Sequence, residues 1–170
     1  VSSLSKDGVI DKDQKYLTDD LYQELKDDFE PKEGEILLTK DASPGTAYVL
    51  KEPIRGIISG GILRLKPKEN VNAEYLSLCI NSIIGQSQAE RDAGGSIIKH
   101  WKPEQIKNLL VPILPEKIQQ KIERFSTSFP SPKTSLRDVR AINLLKANTL
   151  AVKHISHNYE DRYLRFQFFL

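Results

Sequence analysis

Three prolines divide the stretch between residues 94 and 122, GGSIIKHWKPEQIKNLLVPILPEKIQQKI, into short segments of alternating character. Pro103 and Pro115 each precede a helix-like run, and proline suits the first turn of a helix because its missing N–H would be unpaired there anyway. Pro112 lies in the apolar run LLVPIL and cannot donate to a ladder, so that run predicts a strand at a sheet edge or at the end of the pairing. The stretch therefore predicts strand (SIIKHW), short helix (PEQIKNL), strand and longer helix (PEKIQQKIERF).

The chain before this stretch alternates in the same way. YLTDDLYQELKDDFEPKEG predicts a short helix that Pro31 and Gly34 end, with Thr18 as its N-cap and two aspartates in the first turn, where the helix dipole favours anions. GEILLTKDASPGTAYVL predicts two strands joined by a turn at residues 43–45. GIISGGILRLKP predicts a strand pair, or one strand broken at Gly60-Gly61, where glycines indicate a bulge or a close approach to the backbone.

NAEYLSLCINSIIGQSQAERDAGG predicts a single helix that is capped by Asn72 and ends before Gly94. Cys79, the one cysteine, is expected to be a small buried hydrophobic side chain rather than a nucleophile. A single cysteine excludes an internal disulfide and suits a reducing compartment, so we expect a cytoplasmic protein. The expected apolar face of the helix consists of Tyr75, Leu76, Leu78, Cys79, Ile83 and Ile84.

A last helix is predicted from about residue 135 to 157. Its aliphatic side chains spread over most of the circumference rather than forming a heptad seam. A helix that is apolar on more than one side needs more than one partner. We therefore expect it to protrude, and to pack both on its own domain and on another chain.

The net charge of +2 hides an asymmetry between the two parts of the chain. Residues 1–50 carry 6 basic and 12 acidic side chains, a net of −6, whereas residues 51–170 carry 19 basic and 11 acidic ones, a net of +8. A basic region of this size is compatible with a polyanionic partner, and equally with an ordinary solvated surface. No run approaches the roughly 18 apolar residues of a membrane span, so no membrane partner is expected.

The sequence shows no motif of a known active site. It has no GxxxxGK phosphate-binding loop, no GxGxxG after a strand and no GxSxG nucleophile elbow. His154 and His157 are spaced to share a helix face, but no further metal ligands follow. Two Glu-x-Lys spacings, at 24–26 and 30–32, lack the converging carboxylates of a metal nuclease. We therefore expect no catalytic residue, no metal and no cofactor, and classify the chain as a non-enzyme.

An ordered set of short motifs resembles the target recognition domain of type I restriction–modification specificity subunits. The resemblance covers roughly residues 10–156, and its specificity comes from the order of the motifs rather than from any one of them. The family commonly has proline where Leu114 stands and an acidic residue where Ile118 stands, and SFPSPK interrupts a helix that is usually continuous. The matching positions are Gly34 to Leu38, Arg64 to Pro67, Tyr75-Leu76, Asn81-Ser82, Gly95-Ser96, Lys99-His100, Asn108-Leu109, Pro112, Pro115, Gln119 and Ile122.

The resemblance implies an α+β (mixed α/β) target recognition domain with a small twisted sheet and flanking helices, followed by a long C-terminal helix. We expect the recognition domain at residues 1–128, without its first strand, and a linker with the conserved helix at 129–170. The chain is then a fragment of a specificity subunit, or a half-size subunit that must dimerise.

The implied function is to bind one half of a bipartite double-stranded DNA site and to dock adenine-N6 methyltransferase subunits, without chemistry of its own. The implied partners also include a restriction motor subunit, and a second copy of the chain bound through the C-terminal helix. Two alternatives remain open: a restriction nuclease or fused restriction–modification enzyme fragment whose active site is unrecognised, and a protein–protein adaptor that uses the C-terminal helix.

Candidate DNA contacts are polar or basic side chains at predicted loop positions, because base edges and phosphates are bound by such groups. Lysine can donate to guanine or to a phosphate, and histidine can donate or accept at a base edge. Trp101 follows an apolar strand and is expected to anchor the core rather than to stack on bases. The candidates are Lys40, Ser43, Ser59, Arg91, Ser96, Lys99 and His100.

Overall fold

A computed structural model describes residues 4–5, 7–9, 15–94, 99–127 and 163–164 of the 170-residue chain. These residues form short strands and helices in an α+β arrangement, which confirms the fold class predicted from the sequence. The elements are β1 (Leu4–Ser5), β2 (Gly8–Val9), α1 (Asp19–Phe29), β3 (Ile36–Thr39), β4 (Ala47–Val49), β5 (Ile62–Leu65), α2 (Ala73–Asn81), α3 (Ile83–Asp92), α4 (Pro103–Ile106), β6 (Val111–Pro112), α5 (Glu116–Thr127) and β7 (Tyr163–Leu164).

The central element is an antiparallel sheet in the order β4-β3-β5. All four residues of β3 are buried, because the sheet is covered on both faces. Ile36 and Leu38 join the main core, together with residues of α2, α4 and α5, whereas Leu37 lies in a second cluster with Leu4 and residues that precede β5. The period-2 alternation of a strand explains how neighbouring residues serve two different cores.

Two predicted boundaries are confirmed at the level of single residues. Thr18 caps α1, and its side-chain oxygen accepts from the Leu21 N–H at 3.4 Å. Pro115 directly precedes α5. α1 has no buried residue, which agrees with its strongly charged sequence.

The single helix predicted after Asn72 is wrong, because the chain forms two helices that break at Ser82. Ser82 has extended backbone angles, φ −74° and ψ 167°, and its side chain caps α3. Gly85 in the first turn of α3 approaches the end of α2 so closely that a Cβ atom there would lie 2.2 Å from the Ile80 carbonyl oxygen. The break turns Ile83 and Ile84 out of the predicted apolar face, and they are 56% and 42% exposed.

The two other predictions for this half of the chain have different outcomes. The predicted strand SIIKHW lies partly outside the described residues, and its described part forms only an isolated bridge between His100 and Asp41. The predicted helix at 135–157 lies wholly outside the described residues. Beyond it, β7 pairs antiparallel with β6, Leu164 opposite Val111. Within the described ranges, no helix is both long enough and apolar enough to cross a membrane.

Candidate nucleic-acid interface

The backbone extends the sheet beyond the end of β3 by pairing it with a segment distant in sequence. The Trp101 N–H donates to the Lys40 carbonyl oxygen at 2.7 Å, and the Ala42 N–H donates to the Lys99 carbonyl oxygen at 3.0 Å. Between these two bonds, Asp41 and His100 lie opposite each other as an antiparallel bridge. Lys99 and His100 are therefore held against the residues that leave β3.

The turn between β3 and β4 is fixed from inside by Thr39, which is 1% exposed. Its hydroxyl donates to the Ser43 carbonyl oxygen at 2.6 Å and accepts from the Thr46 N–H at 3.0 Å. Ala42 and Gly45 have φ of 61° and 97°, so the turn uses the left-handed region twice. A turn with this many internal bonds presents its side chains in a defined geometry.

The helix α3 holds the same turn from outside. The Gln86 side-chain amide donates to the Gly45 carbonyl oxygen at 2.6 Å. A Cβ atom at Gly45 would meet that amide at 3.0 Å and the Ala89 side chain at 3.1 Å. The turn is thus fixed between α3 and the segment that contains Lys99 and His100.

Asp41 is the centre of the charged groups on this turn. The Lys40 ammonium lies 3.1 Å from its Oδ2 atom, and His100 Nδ1 contacts its Oδ1 atom. Partial burial raises the pKa of Asp41, but the hydrogen bonds and charges of Lys40 and His100 outweigh it, so the pKa lies below its ordinary value. Asp41 is therefore ionised at neutral pH and holds both neighbours.

Four of the seven candidate DNA contacts meet here. We call Lys40, Asp41, Ser43, Lys99 and His100 together the hairpin-end surface. Ser43, Lys99 and His100 are exposed, whereas the Lys40 side chain is only 14% exposed. In the part of the chain that the structure describes, no carboxylate pairs with the Lys99 ammonium.

The other three candidates stand apart from this group to different degrees. Ser59 is exposed in the turn before β5, which adjoins the surface because the Lys40 N–H donates to the Gly61 carbonyl oxygen at 2.9 Å. Arg91 is exposed on α3 and forms an ion pair with Asp92 at 2.7 Å. Ser96 lies outside the described residues.

Asp41 is the functional candidate that the sequence did not indicate. It is 59 residues from His100 in sequence, and a search for hydrogen-bond donors passes over a carboxylate. Its position in sequence, between a buried strand and the predicted turn, was the available signal.

Trp101 and Cys79 have the structural roles predicted for them. Trp101 is 0% exposed and belongs to the main core, so it offers no face for a base to stack on. Cys79 is 5% exposed, and burial raises the pKa of its thiol to about 12, which disfavours the nucleophilic thiolate. Within the described ranges, no group of three histidine, cysteine or acidic side chains is arranged to hold a metal ion.

Comparison with known proteins agrees with the resemblance found in the sequence. The family model described as the type I restriction modification DNA specificity domain matches residues 7–147, which is most of the chain. The search of curated proteins found no match. The family match includes the whole hairpin-end surface and every element from α1 to α5.

Proposed function

The chain belongs to the type I restriction modification DNA specificity domain family, and from this premise we propose that it reads one half of a bipartite DNA site for a restriction–modification complex. In this proposal it is a specificity subunit or a fragment of one. It has no chemistry of its own, and it acts in the cytoplasm, where such a complex meets DNA.

The observation that carries the proposal is the hairpin-end surface. The major groove of B-DNA is about 12 Å wide and admits a two-stranded β-ribbon. The β3–β4 turn presents Ser43 at its exposed tip, and the paired segment presents Lys99 and His100 beside it. Hydroxyl, imidazole and ammonium groups on a fixed backbone are the groups that distinguish base edges.

The charge distribution supports the same contact. Residues 51–170 have a net charge of +8, and Lys99 is an exposed cation there without a carboxylate partner in the described structure. Phosphate contacts from such residues supply affinity and fix the orientation of a protein on the duplex. We assign Lys99 to a phosphate or to a guanine, and His100 and Ser43 to base edges. Lys40, Ser59, Arg91 and Ser96 complete the set of proposed DNA contacts.

The proposed partners follow from the family. We propose that adenine-N6 methyltransferase subunits dock on the chain, and that a restriction motor subunit joins the assembly. Residues 135–157 are proposed to contact a second copy or a methyltransferase subunit, because their sequence is apolar on several faces.

The test is a selection from a randomised duplex DNA library by the 170-residue chain, alone and with the adenine methyltransferase of a type I restriction–modification complex. We expect enrichment of one short sequence, and binding that weakens steeply with salt. Absence of both a sequence preference and a salt dependence, with and without the methyltransferase, would contradict the proposal and favour the protein–protein adaptor.

The same preparation tests the absence of chemistry. We expect the isolated chain neither to cut nor to methylate DNA in the presence of magnesium and S-adenosylmethionine. Metal-dependent cleavage that disappears when one carboxylate is replaced would instead show that the chain is a nuclease.

A further inference from the structure

Lys40, which contacts Asp41, differs from Lys99 in how available its charge is to DNA. Asp41 accepts from the Lys40 ammonium with both carboxylate oxygens, at 3.1 and 3.4 Å. If Lys40 left this contact, the partly buried Asp41 carboxylate would lose its charged partner. In the DNA-free protein, Lys40 is therefore neutralised by its neighbour.

The contact with His100 has a different consequence. A carboxylate oxygen can only accept, so the Nδ1 atom of His100 must carry the proton that it donates to Asp41. The neutral imidazole then has an unprotonated Nε2, which is an acceptor. Asp41 thus selects one tautomer of His100, and with it the kind of base group that Nε2 can contact.

The position of the carboxylate is itself fixed. The Asp41 carbonyl oxygen accepts from the Ser43 N–H at 2.7 Å, and the backbone on both sides of Asp41 is bonded to the segment 99–101. The side chain remains 31% exposed, so it lies where an approaching duplex would meet it. A fixed negative charge at that place repels phosphates, and a carboxylate can accept from the amino group of a base.

We propose that Asp41 is a positioning residue that sets sequence specificity: it withholds Lys40 from non-specific phosphate contacts and orients His100 with Nε2 as an acceptor. This inference rests on the proposed DNA-binding function. It predicts that removing the carboxylate increases affinity for DNA in general while decreasing discrimination between sequences.

The main test compares Asp41→Asn with Asp19→Asn in the full chain. Both changes remove one negative charge, and both leave a cation without its carboxylate partner, because Asp19 bonds Arg55 at 2.6 Å on the exposed helix α1. With Asp41→Asn we expect about threefold or more tighter binding to random-sequence duplex, and a salt dependence steeper by about 1 unit of slope as Lys40 becomes available. The ratio of selected-site to random-site affinity should fall, whereas Asp19→Asn should leave it unchanged.

A second test needs no DNA. Nitrogen-15 NMR of the histidine rings, with His100→Gln to assign the signal, should show a proton on Nδ1 of His100 in the wild type. Asp41→Ala, which removes the acceptor altogether, should shift His100 toward the Nε2–H tautomer that free histidine prefers. Circular dichroism and urea unfolding of each variant establish that it is folded.

The outcomes separate this inference from the proposed function. If the wild type selects a sequence but Asp41→Asn behaves like Asp19→Asn, the role of Asp41 is wrong and DNA binding stands. A wild-type His100 that carries its proton on Nε2 would also overturn the inference. If the wild type shows no sequence-dependent binding, the proposed function fails first, and the specificity role fails with it.

Discussion

Asn81 at the end of α2 pairs with both backbone groups of Ala47 at the edge of the sheet. Its side-chain oxygen accepts from the Ala47 N–H at 3.0 Å, and its amide nitrogen donates to the Ala47 carbonyl oxygen at 2.7 Å. β4 is an edge strand of the sheet, so the asparagine amide takes the place of a further strand. One side chain thus positions α2, and with it the start of α3, against the hairpin.

Asn81→Ala should therefore destabilise the protein by about 1–3 kcal/mol, because it leaves the buried Ala47 N–H without its partner. Urea unfolding measures the effect as a lower midpoint at unchanged m-value. Asn108→Ala is the matched control, since the Asn108 amide donates to the Glu104 carbonyl oxygen at 3.0 Å on an exposed turn. An equal loss of unfolding free energy in the two variants would show that the Asn81–Ala47 bonds contribute no more to stability than an ordinary surface hydrogen bond.

A side chain larger than hydrogen at Gly85 should clash with the backbone at the junction of α2 and α3. An added Cβ would lie 2.2 Å from the Ile80 carbonyl oxygen and 2.6 Å from the Cys79 carbonyl oxygen, and neither backbone atom can move away freely. We expect Gly85→Ala to cost about 1–3 kcal/mol through the forced separation of the helices. Gly60→Ala is the control, because nothing lies within 4 Å of a Cβ there. A thermal unfolding midpoint for Gly85→Ala that equals that of Gly60→Ala would contradict the prediction.

Several of the residues that carry the family resemblance have architectural roles. Asn81 holds the sheet edge, Ser82 caps α3, and Gln119 bonds the backbone at the start of α2. These roles explain why an ordered set of motifs identified the family.

The sequence predicted the fold where local signals decide it. Thr18 and Pro115 mark helix starts by their own chemistry, and the strands of the β3–β4 hairpin flank a turn-forming run. The break at Ser82 was missed because apolar residues continue at helical spacing through Ile83 and Ile84. At the break Ser82 caps α3 and Asn81 bonds Ala47, and the spacing of apolar residues carries no signal of either contact.

The candidate site was less predictable, for a related reason. In the sequence, Lys99 and His100 stand out as polar residues in an apolar segment. Their position beside Lys40, however, comes from backbone bonds between segments 59 residues apart. Single-sequence patterns carry no signal at that separation. The role of Asp41, which contacts both Lys40 and His100, follows from the assembled geometry.

Gln119 leads to the third prediction. It is 0% exposed; its oxygen accepts from the Asn72 N–H at 2.9 Å, and its amide donates to the carbonyl oxygens of Leu114 at 2.7 Å and Asn70 at 3.2 Å. Gln119→Leu keeps the approximate volume but leaves these backbone groups unpaired, so we expect a loss of about 2–4 kcal/mol in unfolding free energy. Gln120→Leu, on the same helix with one exposed bond to Glu116, should cost less than about 0.5 kcal/mol. A Gln119→Leu protein as stable as Gln120→Leu would show that water replaces the lost partners.

The buried thiol of Cys79 should make the protein less stable at alkaline pH. Its pKa is raised by burial from 9.0 to about 12, so the folded protein keeps the proton while the unfolded chain loses it above pH 9. The contribution of the thiol is therefore fully present below pH 9 and is lost as the pH rises toward 12. We expect the difference in unfolding free energy between wild type and Cys79→Ala to fall by about 2 kcal/mol from pH 8 to pH 10.5. A difference that stays constant over this range would mean that the folded thiol ionises like the unfolded one.

Lys99 and His100 should affect DNA binding in different ways, because one is an exposed cation without a carboxylate partner in the described structure and the other is oriented by Asp41. If Lys99 contacts a phosphate, Lys99→Ala should weaken binding to all sequences and make the salt slope shallower by about 1. If His100 contacts a base, His100→Ala should lower the preference at one position by about 1–3 kcal/mol and leave binding to random duplex nearly unchanged.

Lys66→Ala is the control for charge. This exposed lysine follows β5 at the end of the sheet opposite Lys40, since Thr39 pairs with Ile62 and Ile36 with Leu65. Fluorescence anisotropy at several salt concentrations measures all three variants. Unchanged affinity, preference and slope in folded Lys99→Ala and His100→Ala would place the DNA-binding surface elsewhere on the domain.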